Sequence, residues 1–110
     1  MFLQFACRVL EIEDVKELTV RVVDTESISI SWIGPCPAVK DILLNYTIVT
    51  YNDQIKKSKN ITNQSYYITY NVTELIPCTS YTFEVFVVVG HIRSNGINIT
   101  HKTSSNREYR

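Results

Sequence analysis

Ser27-Ile28-Ser29-Ile30-Ser31-Trp32 alternates polar and apolar residues without a break. A period of two marks a strand with one face buried, and here it places Ile28, Ile30 and Trp32 on the inner face. The same reading predicts a strand within 15–23, with Leu18, Val20 and either Val22 or Val23 inward. Further strands are expected over 44–51, with Tyr46 and Ile48 inward, and over 66–73, with Ile68, Tyr70 and Val72 inward. Leu75 closes the core, and two more strands follow, through Val89 and over 97–102. Between 44–51 and 66–73 lies a polar edge over 55–60 that carries Lys56, Lys57 and Lys59. Lysines at such a place more often keep a sheet edge from pairing with another chain than bind an acidic partner. Asp24-Thr25-Glu26, Gly34-Pro35-Cys36-Pro37, Asn52-Asp53-Gln54 and Asn95-Gly96 separate the runs. Glycine, proline and short polar residues suit turns, and Asn-Gly suits positive φ in a hairpin. Seven strands at this spacing fit a single antiparallel sandwich of two sheets.

Leu75-Ile76-Pro77-Cys78-Thr79-Ser80-Tyr81 is the most informative connection. Pro77 has no N–H for a ladder, so the preceding strand must stop. Thr79 and Ser80 carry hydroxyls that bond nearby backbone in turns. Tyr81 then opens a run whose alternate members, Tyr81, Phe83, Val85 and Val87, are all apolar. A tyrosine there buries its ring and returns its hydroxyl to upstream backbone, the corner of Greek-key sandwiches. Trp32 is the sole tryptophan. Its place in the alternation assigns it to the centre of the sandwich rather than to an exposed stacking role. Trp32, Tyr46, Leu75 and Tyr81 are thus the expected structural core.

Taken in order, Leu18-x-Val20, Ser27-Ile28-x-Ile30-Ser31-Trp32, Tyr46-x-Ile48, Leu75-x-Pro77-x-Thr79-x-Tyr81-x-Phe83-x-Val85, Asn95-Gly96 and Thr103 resemble a fibronectin type III domain. The resemblance covers about 15–103 and implies a seven-stranded Greek-key, immunoglobulin-like all-β sandwich. Residues 1–14 would be an N-terminal extension and 104–110 a C-terminal linker. An immunoglobulin domain would place a cysteine two residues after Tyr81, where this chain has Phe83. The tryptophan-serine repeat of cytokine-receptor modules is missing, and so is Arg-Gly-Asp before the last strand; Arg93-Ser94-Asn95 stands there instead.

Charge narrows the partners. Lysine plus arginine equals aspartate plus glutamate, 11 against 11. Such a chain has no basic field for nucleic acid and no polybasic face for anionic lipid. No run is long enough for direct membrane insertion as a helix. Residues 1–8 match a secretory signal poorly, having no positive leading segment and an apolar stretch interrupted by Gln4. A chain without an address or an anchor is expected to be part of a larger protein.

No catalytic constellation stands out. His91 and His101 have no ligand partner at metal spacing, and no phosphate-cradling glycine loop or Gly-x-Ser-x-Gly occurs. The expectation is no enzyme activity and no cofactor.

Five Asn-x-Ser/Thr sequons do stand out, at Asn45, Asn60, Asn63, Asn71 and Asn98. Chance at this composition would supply about one or two. With Tyr46 and Tyr70 inward, Asn45 and Asn71 face outward. The excess points to a glycoprotein of the secretory pathway.

Three cysteines, Cys7, Cys36 and Cys78, cannot all pair with one another. In the topology that the resemblance implies, Cys36 and Cys78 lie at opposite ends, beyond disulfide reach, whereas Cys7 and Cys36 share an end. Cys78 could also meet a cysteine placed like Cys36 in the next module of a head-to-tail array, or all three could be ordinary free thiols. The functional expectation is a non-catalytic extracellular interaction and spacer module of a cell-surface adhesion or receptor protein, similar to modules of receptor tyrosine phosphatase ectodomains. Its partners are expected to be proteins or neighbouring modules. The loops 34–41 and 91–95 share the end expected to bind. The alternatives are a cytosolic scaffold module and an accessory domain attached to an enzyme.

Overall fold

The structure, a computed structural model, describes residues 13–35, 44–63 and 67–105. Eight strand segments follow one another: β1 (Lys16–Val23), β2 (Ile28–Ile33), β3 (Leu44–Tyr51), β4 (Lys56–Asn63), β5 (Tyr67–Val72), β6 (Ser80–Val89), β7 (Ile92–Arg93) and β8 (Ile97–Lys102). They form two antiparallel sheets. One has three strands in the order β1-β2-β5. The other has five, in the order β4-β3-β6-β7, with β8 also paired to β6. The all-β sandwich expected from the alternation is therefore present. Its extra segment, β7, is two residues long and leaves no period in the sequence.

The core lies between the sheets. Ile28, Ile30 and Trp32 of β2 are 0% exposed, as are Phe83 and Val85 of β6. Ile68 and Val72 of β5, Tyr46 and Ile48 of β3, Tyr81 and Val87 of β6, and Val15 and Leu75 outside the strands complete it. Trp32 from one sheet meets Tyr46 from the other edge-on, with ring centroids 5.5 Å apart and planes at 63°. Burial pushes the Tyr46 hydroxyl up to about 12, because a phenolate is poorly solvated there. The neighbouring indole N–H of Trp32 pulls it partway back. Neither Trp32 Nε1 nor Tyr46 Oη has a hydrogen-bond partner among the described residues.

Strict alternation fails in β1. Register shifts between Lys16 and Thr19 and between Val20 and Val22 interrupt its pairing with β2. An extra residue of this kind reverses the faces beyond it. Val23 packs on the core while Val22 is 60% exposed, which decides between the two. The lysine edge also runs further than 60, to Asn63, as β4. Of its lysines, Lys57 and Lys59 pair with the inward Thr50 and Ile48, and Lys56 pairs with the outward Tyr51. Lys57 Nζ donates to the Thr73 carbonyl at 3.1 Å, reaching from one sheet to the other.

The connection from β5 to β6 is fastened at several points. The Ile76 N–H donates to Tyr81 Oη at 2.9 Å, and Leu75 N–H donates to the Glu26 carbonyl at 3.0 Å. Thr103, 2% exposed, donates its hydroxyl to the Ile76 carbonyl at 2.6 Å and accepts from Thr79 N–H at 2.9 Å. Thr103 N–H and Cys78 N–H add bonds to the Thr79 and Ser104 carbonyls. The corner and the chain beyond β8 therefore hold each other, which satisfies backbone groups that no ladder reaches.

Candidate functional site

The segment from β6 through β8 sets exposed side chains on a fixed frame. The chain reverses at Gly90-His91, where Gly90 has φ 59°. The Asn-Gly pair at 95–96 is not that hairpin: Asn95 lacks positive φ, and Gly96, at φ 95°, stands at the entry to β8. Between these glycines β7 is held to Val88 and Val89 of β6. His91, Ile92, Arg93 and Asn95 are exposed, Ile92 at 60%.

Ser94 anchors the loop from beneath. Its N–H donates to the Val87 carbonyl at 2.9 Å, and its Oγ accepts from the Val87 N–H at 2.9 Å. One residue thus satisfies both main-chain groups of Val87 where the ladder ends. Ser94→Ala leaves a buried N–H without its partner. The expected loss is about 1–3 kcal/mol, read by urea denaturation, together with faster hydrogen exchange at Val87. Unchanged stability and exchange would mean that Ser94 does not hold the loop.

Beside Ser94, the Arg93 guanidinium lies 4.1 Å from the centroid of the Phe86 ring. Phe86 and Val49 belong to the outer face of the five-stranded sheet, yet they are 7% and 8% exposed. Arg93 covers the Phe86 face, a favourable cation–π contact, and Gly96 lies against the Cδ1–Cε1 side of the same ring. Gly96 N–H donates to Asp14 Oδ1 at 2.7 Å. The segment entering β1 is thereby tied to the loop 82 residues later. Asp14 escaped sequence reasoning because its partner is remote in the chain, and Ser94 because its bonds to Val87 form only once the chain folds back at Gly90-His91.

Of the expected binding end, Gly34 and Pro35 are buried, and 36–41 lie outside the described residues. Gly34 sits against Tyr46: a Cβ there would come 2.7 Å from Tyr46 Oη. Cys7 and Cys36 also lie outside the described residues. Cys78 is exposed and unpaired among them, with φ 55°. The core residues Trp32, Tyr46, Leu75 and Tyr81 are all at most 3% exposed.

The sequon asparagines are distributed over both sheets. Asn45, Asn60, Asn71 and Asn98 are exposed, and Asn63 is half-buried at the end of β4. Asn45, Asn60 and Asn98 share the outer face of the five-stranded sheet, and Asn71 lies on the outer face of the other. Among the described residues no group of three or more His, Cys, Asp or Glu is placed to hold a metal ion.

Known proteins share this architecture. A fibronectin type III domain from human fibronectin type III domain containing protein 3 superposes with TM-score 0.68 at 17% identity, over 87% of this chain and 89% of that one. The chicken CNTN1 FN1-FN3 domains give TM-score 0.66 at 20% identity, over 84% of this chain and 31% of that one. A computationally redesigned β-sandwich protein gives 0.66 at 18% identity, over 89% and 96%. At such identities the likeness is one of fold. No curated protein sequence matches the chain. The family model described as "Fibronectin type III domain" matches residues 13–100, and with the two-sheet topology and the tyrosine-closed corner already in place, the chain belongs to the fibronectin type III family.

Proposed function

We propose that the chain is an extracellular interaction and spacer module of a cell-surface adhesion or receptor protein. Members of this family are commonly non-catalytic modules. The observation that carries the extracellular address is the set of five sequons, four of them with exposed asparagines on strand faces away from the core. In this reading residues 15–103 are the module, 1–14 are an N-terminal extension and 104–110 a C-terminal linker. The mechanism is mechanical and steric. The packed sandwich sets a fixed spacing, and the loop from His91 to Asn95 offers Ile92 and Arg93 to a protein partner from an anchored base. Loops on a rigid scaffold are the usual place for binding residues.

The test uses the natural protein. Membrane-impermeant labelling of intact cells is expected to reach it, and an N-glycan-cleaving enzyme is expected to lower its mass. An unglycosylated chain recovered from the cytosol with all its thiols reduced would overturn the reading.

A further inference from the structure

Two of the sequons face each other across β3 and β4. Asn45 pairs with Thr62, and Thr47 pairs with Asn60. These four residues are the first and third positions of Asn45-Tyr46-Thr47 and Asn60-Ile61-Thr62. Their side chains bond reciprocally. Thr62 Oγ1 donates to Asn45 Oδ1 at 2.7 Å, and Thr47 Oγ1 donates to Asn60 Oδ1 at 2.8 Å. Each sequon's threonine therefore orients the other sequon's carboxamide.

The consequence is chemical. A carboxamide has an acceptor oxygen and a donor nitrogen. Both oxygens are turned to a cross-strand hydroxyl. Both Nδ2 atoms are left without a partner among the described residues, on exposed side chains. N-linked sugar attaches at Nδ2 and leaves Oδ1 an acceptor. A sugar on either asparagine thus breaks no hydrogen bond of the folded sheet. Asn71 has its oxygen held in a similar way, by Ser29 Oγ at 3.1 Å, but Ser29 belongs to no sequon. Asn98 lies opposite Glu84, with no hydroxyl to turn it. The reciprocal arrangement is confined to Asn45 and Asn60 among the described sequons.

We propose that Asn45 and Asn60 are one paired N-glycosylation site, both filled in a single folded molecule. The inference rests on the secretory-pathway reading above and deepens it. The donor class is an oligosaccharide on a lipid diphosphate. In each transfer Nδ2 bonds the anomeric carbon, the bond from that carbon to the phosphate oxygen breaks, lipid diphosphate leaves, and one Nδ2 proton goes to solvent. The two asparagines are diagonal neighbours on adjacent strands, a placement that sets backbones about 7–8 Å apart. Two sugars starting there cover the outer β3–β4 surface, up to the row in which Asn45 lies beside Val88 and Arg93.

The experiment places the 110-residue chain behind a heterologous signal in a eukaryotic cell that N-glycosylates. Asn63→Gln, Asn71→Gln and Asn98→Gln remove the other three sequons. The secreted, folded product is expected to carry two glycans by intact mass. Enzymatic release in heavy-oxygen water is expected to label both Asn45 and Asn60. A folded product bearing one glycan or none overturns the proposal. So does confinement of doubly filled chains to the insoluble cell fraction. If the triple variant is not secreted, glycopeptide mapping of the unsubstituted chain reads the same two positions. The supplied signal makes this test independent of the natural address. Its failure leaves the extracellular reading standing, and a cytosolic natural protein leaves the paired geometry standing.

Discussion

Trp32→Ala is expected to lower the stability of the fold by about 3–5 kcal/mol. Domains of this size are stable by only about 5–15 kcal/mol, so the variant loses a large part of its margin. The indole is 0% exposed and bridges the sheets: it leaves β2 and meets Tyr46 of β3 edge-on at 5.5 Å. Alanine removes that contact and opens a void whose walls belong to two different sheets, so neither sheet can close it without moving the other. Urea denaturation followed by circular dichroism reads the effect as a lower midpoint with little change in slope. Trp32→Phe, which keeps an aromatic ring between the sheets, should recover part of the loss. A Trp32→Ala variant within about 1 kcal/mol of the parent, far below the range for buried aromatics, would mean that the indole is not the centre of the core.

Gly96→Ala is the second large effect. Two costs combine there. At φ 95° an L side chain is strained, by about 1–2 kcal/mol for a left-handed backbone. The new Cβ would also come 2.5 Å from Phe86 Cε1 and 2.9 Å from Glu84 Oε2. Overpacking of this kind costs about 1–3 kcal/mol, giving a total of about 2–5 kcal/mol. Gly90→Ala is the internal control. It has φ 59° and nothing within 4 Å of a built Cβ, so only the backbone cost applies. Gly96→Ala should therefore exceed Gly90→Ala in the same urea titration. Equal losses at the two positions would show that the Phe86 ring yields freely and that the loop is not seated on it. Because the N–H of position 96 also holds Asp14, the displacement should quicken hydrogen exchange of that amide relative to the parent.

Phe86 itself shows where alternation stops being informative. Its neighbours Val85 and Val87 face the core, so the period of two turns Phe86 to solvent. In the folded chain it is buried on the far side by Arg93, in a segment that doubles back after Gly90. The alternation of β6 records one buried face, and the cover on its other face comes from residues with a different local pattern. In β1 the alternation is present but broken by bulges, and only the pairing with β2 decides that Val23 rather than Val22 turns inward. The sequons behave likewise. Their presence and the outward direction of Asn45 and Asn71 follow from local pattern. That Thr62 orients Asn45 while Thr47 orients Asn60 follows from the register of β3 against β4.

The amino-acid sequence by itself determined the class of the fold, most of its strands, the inward set around Trp32, the corner before Tyr81 and the residues able to carry sugar. These depend on neighbours one to six positions apart, where steric and hydrophobic periodicity act directly. Only the tertiary structure decided what covers Phe86, how Ser94 completes the hydrogen bonds of Val87, that Asp14 reaches Gly96 and that two sequons interlock. Each of these joins residues through sheet register or a folded-back loop, and the energy that selects such contacts exists only once the two sheets have closed on each other.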